Sequence, residues 1–131
     1  MLKGGILNPD IAYLFANLGH FDPVVISDAG LPIPNEVERI DLAWKAHEPK
    51  FLDVLKEMLN HLVVDHVVMA EEIKKASPEM HREIIKLLGD IPVKYVLHDA
   101  FKAQTAKAKA IIRSGEFTAY ANVMLVSGCA F

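Results

Sequence analysis

The chain has 131 residues, of which 52% are hydrophobic, with a net charge of −3 at pH 7 and a mean hydropathy of +0.22. No Lys/Arg cluster stands out, which argues against nucleic acid as the main partner, and no apolar run approaches the length of a membrane span. The single cysteine, Cys129, excludes an intrachain disulfide and a cysteine-pair zinc site. Without a signal-type apolar segment near Met1, we expect one cytoplasmic domain over residues 1–131. Its high apolar content suggests buried strands, a subunit interface or both.

The first predicted element is a helix that begins near Pro9. Asn8 and Pro9 are typical of an N-cap and a first helical position, and apolar residues with helical spacing follow them. Gly19 is predicted to end this helix in a left-handed conformation. His20 would then lie just beyond the helix end.

Six apolar segments are predicted as strands, and three more helices lie between them. The strands are predicted at Val24–Asp28, Arg39–Trp44, Val63–Ala70, Val93–Leu97, Ala110–Ile112 and Val123–Val126. The helices are predicted over Lys50–Leu62, from Ser77–Pro78 to Gly89, and from His98–Asp99 onward. This alternation indicates a three-layer α/β/α domain with a largely parallel sheet. The last connection is too short for a helical crossover, so the final strand is expected to be antiparallel and the sheet mixed.

Several polar residues are predicted to meet at the carboxyl edge of this sheet, where ligands of open α/β sheets bind. Asp28 and His98 end predicted strands, and an antiparallel final strand would begin at the same edge with Tyr120 and Asn122. Lys102 follows His98 by one helical turn, on the same face. A carboxylate, an imidazole, a phenol, an amide and an ammonium together offer the donors and acceptors that a hydroxyl-rich ligand requires.

His20 is predicted at the opposite end of the first strand from Asp28. Since a strand rises about 3.3 Å per residue, the two would lie roughly 20 Å apart within one subunit. Either the chain doubles back between Phe21 and Pro23, or His20 joins the site of a neighbouring subunit. We favour the second interpretation, because the apolar content already suggests assembly. By themselves, a His and an Asp eight residues apart are more often structural than catalytic.

The remaining histidines and acids show no such pattern. His61 and His66 are five residues apart among apolar neighbours and lack a third ligand, so no metal site is predicted. His47 and His81 are interpreted as solvent-exposed. Glu71–Glu72 is interpreted as a solvated loop or helix start, with a pair of acid catalysts as the less favoured alternative.

Eight ordered segments, spread along nearly the whole chain, contain motifs of one known family. They are Lys3–Asn8, Leu18–His20, Asp28–Pro34, Arg39–Leu42, Ala70–Lys74, His98–Lys102, Ile112–Glu116 and Tyr120–Asn122. Together they resemble the D-ribose pyranase and fucose mutarotase family. Asp28–Pro32 looks like the ribose branch of that family, whereas Ala119 and the segment Lys45–Lys50 depart from its common pattern.

The resemblance implies a cofactor-free isomerase that interconverts the β-pyranose and β-furanose forms of D-ribose and supplies the furanose to a ribokinase. It also implies a ring-shaped homo-oligomer with sites between subunits. The residues concerned are His20 as proton donor and Asp28, His98, Tyr120, Ala121 and Asn122 in substrate binding, to which the helical position adds Lys102. Two alternatives remain open. One is a mutarotase for L-fucose or another monosaccharide, and the other is a non-catalytic sugar-binding accessory of a ribose transporter.

The proposed reaction suits these residue types. Opening a cyclic hemiacetal removes a proton from the anomeric hydroxyl and delivers one to the ring oxygen, and reclosure through a different hydroxyl repeats the exchange. Positioned acid–base catalysis is typically worth about 10²–10⁴-fold in rate. A histidine, whose ordinary pKa lies near neutrality, and a carboxylate are sufficient for it.

Overall fold

The computed structural model describes residues 1–131 as one six-stranded sheet and five helices. The strands are β1 (Pro23–Ser27), β2 (Glu38–Asp41), β3 (Val64–Ala70), β4 (Val93–Val96), β5 (Ala110–Arg113) and β6 (Val123–Ser127). The helices are α1 (Pro9–Asn17), α2 (Phe51–Leu59), α3 (Ile73–Ala76), α4 (Pro78–Leu88) and α5 (His98–Thr105). None of them has the length and apolar character needed to cross a bilayer.

The sheet is mixed, as predicted. Its strand order is β2-β5-β1-β6-β3-β4. The pairs β2–β5, β5–β1 and β3–β4 are parallel, whereas β6 is antiparallel to both of its neighbours, β1 and β3. Five strands therefore share one direction and β6 opposes them. This reversal brings the loop that precedes β6 to the carboxyl edge of β1.

The side chains of the central strands alternate between two apolar clusters, one on each face of the sheet. Val24 and Ile26 belong to the larger cluster, which includes residues of α1, α2 and α4. Val25 belongs to the smaller one, which Phe101 of α5 covers. The three predicted layers are therefore confirmed. Because β6 is buried on both faces, its sequence is a continuous apolar run rather than an alternating one. Full burial of each such aliphatic side chain contributes roughly 1.5–3 kcal/mol.

The first helix begins as predicted but ends differently. The side chain of Asn8 accepts hydrogen bonds from the backbone N–H groups of Asp10 and Ile11, both at 3.0 Å, which confirms the N-cap. The prediction that Gly19 is a left-handed cap is wrong, since α1 ends at Asn17 and Gly19 has no positive φ. The left-handed residue is Phe21, with φ 68°, in the turn that follows.

The connection between β3 and α4 agrees with the predictions at one point and differs from them at another. The turn at Glu71–Glu72 leads directly into α3, so the helix-start interpretation is confirmed. Ser77 occupies the N-cap position of α4, but its side chain forms no cap. Its hydroxyl donates instead to the carbonyl of Ala119 at 2.7 Å. The contact ties α4 to the loop that precedes β6.

His81 is partly buried rather than exposed as expected. Its Nε2 lies 2.6 Å from the hydroxyl oxygen of Tyr95, and the ammonium of Lys74 lies 3.7 Å from the centre of the Tyr95 ring. Burial, and secondarily the charge of Lys74, lower the pKa of His81. Burial also raises the pKa of Tyr95. The apolar periodicity of α4 predicts which face of the helix packs on the sheet. It does not predict that Tyr95 of β4 contacts His81 outside that face.

Candidate active site

Asp28 and Asn122 form a hydrogen-bonded pair at the carboxyl edge of β1. The Asn122 amide nitrogen donates to Asp28 Oδ2, and its oxygen accepts the Asp28 backbone N–H, both at 2.9 Å. Asp28 Oδ1 accepts the N–H groups of Gly30 at 2.9 Å and Leu31 at 2.8 Å. Three donors thus fix the carboxylate, and its remaining lone pairs are available to a ligand.

His98 and Tyr120 lie at the same edge. His98 is the first residue of α5, and Tyr120 lies in the turn before β6 with φ 62°. Their rings meet edge to face, with centroids 4.9 Å apart and an interplanar angle of 88°. The Phe101 ring lies nearly parallel to the imidazole, with ring centroids 6.4 Å apart and an interplanar angle of 10°. Packing therefore orients the His98 ring, whose Nδ1 is buried without a hydrogen-bond partner within the chain.

These four side chains share one pocket of about 330 Å³. Its lining consists of Asp28, Gly30, Leu31, Pro32, His98, Ala119, Tyr120 and Asn122. The lining offers a carboxylate, an imidazole, a phenol and an amide, and it contains no Lys or Arg. The prediction that these groups meet at one edge of the sheet is confirmed.

The structure does not bring Lys102 and Ala121 into this lining. The Lys102 ammonium lies 2.9 Å from Asp99 Oδ1, and their hydrogen bond, followed by the charge of Lys102, lowers the pKa of Asp99. Ala121 is fully buried in the larger apolar cluster. Its side chain therefore supports the pocket from behind, and the role of either residue in substrate binding stays a prediction.

His20 lies at the opposite, amino edge of the sheet. It belongs to the turn between α1 and β1, which the bond from the Asp22 N–H to the Gly19 carbonyl closes at 3.2 Å. Since β1 has five residues, the strand alone separates this edge from Asp28 by roughly 16 Å. The chain does not double back between Phe21 and Pro23. Within one chain, His20 and the pocket are therefore apart.

The surroundings of His20 are open and polar. Its imidazole is 46% exposed and stacks on Phe21, with ring centroids 3.7 Å apart. Nε2 lies 4.0 Å from Asp65 Oδ1, and the other oxygen of Asp65 lies 2.6 Å from Nδ1 of His66. No three His, Cys, Asp or Glu side chains in the structure are arranged to hold a metal ion. His20 is therefore a half-exposed imidazole flanked by a carboxylate, and its role as proton donor stays a prediction.

Comparison with known proteins identifies the family. The model of the RbsD / FucU transport protein family matches residues 1–130. The chain belongs to this family.

Individual members of the RbsD / FucU family match over their full lengths. A D-ribose pyranase of Geobacillus thermodenitrificans is 50% identical, over 100% of this chain and 99% of that protein. One of Halalkalibacterium halodurans is 49% identical over 100% of both chains. The structure of Bacillus subtilis RbsD complexed with D-ribose has a TM-score of 0.97 and 43% identity, with 100% of both chains covered. The Streptococcus pneumoniae fucose mutarotase in complex with L-fucose has a TM-score of 0.82 at 23% identity, over 99% and 100% of the two chains, and shares the fold.

Glu116 supports the loop beside this pocket, and the sequence analysis did not single it out. Its buried carboxylate accepts hydrogen bonds from the Thr118 hydroxyl at 2.8 Å and the Phe51 N–H at 3.2 Å, and lies 3.3 Å from His47 Nδ1. Burial acts to raise the pKa of Glu116, but these three hydrogen bonds outweigh it and hold the pKa below its usual value. The carboxylate thus anchors the loop that leads to Ala119 and Tyr120.

Arg113 and Gly115 hold the same loop from its other end. Arg113 donates to the carbonyl of Ala29 at 3.1 Å and to both carboxylate oxygens of Asp41 at 3.0 and 3.1 Å. A Cβ atom at Gly115 would collide with the backbone of Glu48, so only glycine fits there. The Arg–Ser–Gly–Glu run at residues 113–116 was the part of the sequence that could have indicated this network. Its partners lie far away in the sequence and could not be predicted.

Proposed function

We propose that this chain is a D-ribose pyranase, an isomerase that interconverts the β-pyranose and β-furanose forms of D-ribose by acid–base ring opening and closure. The observation that carries the proposal is the pocket that joins Asp28, His98, Tyr120 and Asn122. It occurs in a chain about half identical to proteins named D-ribose pyranase, whose fold matches that of a relative complexed with D-ribose.

The pocket chemistry favours a small neutral sugar. The Asp28 carboxylate accepts hydrogen bonds from sugar hydroxyls, while Asn122, oriented by its two bonds to Asp28, can donate and accept. The Tyr120 ring provides an apolar surface beside its hydroxyl. The lining contains a carboxylate and no Lys or Arg, and Arg113 of the adjoining pocket is already paired with Asp41. A phosphorylated sugar would therefore meet a negative charge without a free cation beside it.

Ring exchange then requires two balanced proton transfers. As the bond between C1 and the ring oxygen O5 breaks, O5 gains a proton and the anomeric hydroxyl O1 loses one, giving the open-chain aldehyde. Rotation about the carbon chain presents the O4 hydroxyl to C1. As the bond from O4 to C1 forms, O4 loses its proton and O1 gains one, so the furanose has the same composition as the pyranose. We assign His20 as the proton donor, in keeping with its near-neutral ordinary pKa.

His20 reaches the sugar from a neighbouring subunit in this proposal. The two halves of the site lie at opposite edges of one chain, so one copy must present its amino edge to the carboxyl edge of the next. Exposed apolar side chains occur near both edges, namely Phe21 beside His20 and Leu97 beside His98. Head-to-tail contacts generate a ring when the rotation between successive copies closes. We propose such a ring-shaped homo-oligomer, located in the cytoplasm.

Saturation-transfer NMR on D-ribose tests the catalytic proposal. The wild-type protein is expected to accelerate pyranose–furanose exchange, and His20→Ala is expected to abolish the acceleration while ribose binding persists. Acceleration with L-fucose alone would instead indicate a fucose mutarotase. Ribose binding without any acceleration by the wild-type protein would indicate a sugar-binding accessory.

A mixed oligomer tests the shared site. When His20→Ala and Asp28→Ala chains are co-expressed in equal amounts, about one interface in four pairs an intact pocket with an intact His20. At a ribose concentration near the wild-type KM, we therefore expect about a quarter of the wild-type exchange rate, whereas each variant alone is far slower. Mixed oligomers as inactive as the separate variants would contradict a site shared between subunits.

A further inference from the structure

The N-terminus of α5 lacks a cap of its own. Its N-cap residue, Leu97, has no side chain that can accept a hydrogen bond, so the first N–H groups of the helix need partners from elsewhere. Glu72, in the turn between β3 and α3, supplies one. Both of its carboxylate oxygens lie 3.0 Å from the backbone nitrogen of His98 and accept its N–H.

This contact acts on a residue that lines the sugar pocket. The packing of Tyr120 and Phe101 sets the tilt of the His98 ring, but no hydrogen bond within the chain holds its Nδ1. The position of the ring therefore depends on where the backbone of His98 is fixed. A carboxylate at a helix N-terminus is also favoured by the helix dipole. In agreement, the bond from His98, followed by that from its own backbone N–H, lowers the pKa of Glu72.

We propose that Glu72 is a positioning residue for sugar binding, which holds the backbone of His98 so that its imidazole stays in the pocket wall. This role rests on the proposed function, because it assigns His98 to the substrate. Glu72 does not line the pocket, so it acts through His98 rather than on the sugar.

The neighbouring Glu71 provides a matched control. Its carboxylate pairs with the Lys74 ammonium at 2.9 and 3.1 Å at the surface. Removal of Glu71 eliminates a carboxylate from the same turn without touching α5. Glu72→Gln is the second comparison, since its amide oxygen can still accept the His98 N–H without the charge.

The experiment measures KM and kcat for D-ribose exchange in Glu72→Ala, Glu72→Gln and Glu71→Ala. We expect Glu72→Ala to raise KM about tenfold, the effect of losing one charge-assisted hydrogen bond, with kcat within about twofold because His20 is untouched. Glu72→Gln should recover most of the affinity, and Glu71→Ala should match the wild type. Backbone amide NMR supplies a readout that is independent of activity. We expect the His98 amide resonance to shift in both Glu72 variants and to stay unchanged in Glu71→Ala.

The outcomes separate this inference from the function on which it rests. A Glu72→Ala protein whose KM stays within twofold of that of Glu71→Ala overturns the positioning role, as does a fall in kcat without a change in KM. If Glu72→Ala does not fold, Glu72→Gln decides, since an unshifted His98 amide in that variant overturns the contact itself. A wild-type protein that neither binds ribose nor accelerates its exchange overturns the proposed function instead.

Discussion

The carboxyl and amino edges of the sheet hold their polar side chains in different ways. At the carboxyl edge, Asp28 and Asn122 exchange two hydrogen bonds, and buried Glu116 anchors the adjoining loop. At the amino edge, His20 is half exposed and lies 4.0 Å from Asp65, too far for a hydrogen bond. In the proposed site, one chain therefore contains the whole sugar-binding pocket. His20, the proposed proton donor, is exposed at the other edge and would act on the pocket of a neighbouring copy.

This difference between the edges suits the two proposed tasks, which are sugar binding at the carboxyl edge and proton transfer at the amino edge. Selection of one sugar among similar ones depends on donors and acceptors fixed before binding, because an ordered site loses little freedom when the ligand arrives. Proton transfer depends on the final distance between the imidazole and the ring oxygen. In the proposed oligomer, that distance is set by the contact between copies. The following predictions test the two edges separately, from the largest expected effect to the smallest.

Replacement of His20 should have the largest effect on rate. In His20→Ala, we expect the ribose exchange rate to fall about 10²–10⁴-fold, the usual worth of a positioned acid–base group. Ribose affinity should change little, because the pocket in the same chain is intact. Saturation-transfer NMR measures the rate and calorimetry the affinity. A loss of affinity as large as the loss of rate would contradict the division of labour between the edges.

Replacement of Asp28 should act mainly on affinity. In Asp28→Asn, the amide places a donor against the N–H groups of Gly30 and Leu31 or against Asn122, and the charge that accepts sugar hydroxyls is lost. Hydrogen bonds to charged groups are worth about 1.5–3 kcal/mol, so we expect ribose to bind about 10–100-fold more weakly. Calorimetric titration checks this. Asp99→Asn, in the first turn of α5 and outside the pocket lining, is the control and should bind ribose normally.

Glu116 should make the carboxyl edge sensitive to acid. Because its pKa is lowered in the folded state, its contribution to stability is present above the ordinary pKa of about 4.5 and is lost as the pH falls through the lower folded-state value. We expect Glu116→Gln to lower the free energy of unfolding by about 1–3 kcal/mol at pH 7, since the amide faces the Phe51 N–H. Urea unfolding between pH 3 and 7 checks this, with the gap between the two proteins narrowing in acid. A gap independent of pH would mean that the charge does not matter.

The His81–Tyr95 pair lies outside both edges and should give the smallest effect. The pKa of His81 is lowered on folding, so the unfolded chain binds more protons below about pH 6.5, and stability falls as the pH falls through that range. We expect His81→Phe to reduce this slope, with a change below about 1 kcal/mol because the histidine is only partly buried. Thermal unfolding from pH 5 to 8 measures it. A change in ribose affinity would contradict the separation of this pair from the site.

Much of the fold could be predicted from local patterns. The apolar runs predicted six strands, and Asn8 and Pro9 correctly marked the start of α1. The cap predicted at Gly19 was wrong because the turn after α1 is held by Asp22, whose carboxylate accepts the Gly19 N–H at 2.8 Å. This hydrogen bond replaces the glycine cap at the helix end. It could not be predicted, because a single side-chain contact produces no periodic pattern in the sequence.

The sequence by itself determined which side chains end the strands, because alternation of helices with apolar strands sets one direction for most of the sheet and therefore one edge for Asp28 and His98. Only the tertiary structure decided which groups hold them. Asn122 bonds to Asp28 across 94 positions and Glu72 to His98 across 26. Hydrogen bonds act over about 3 Å in space and leave no trace in spacing along the chain. The same limit applies to His20, because the proposed contact with a neighbouring copy would also join residues that are far apart in the sequence.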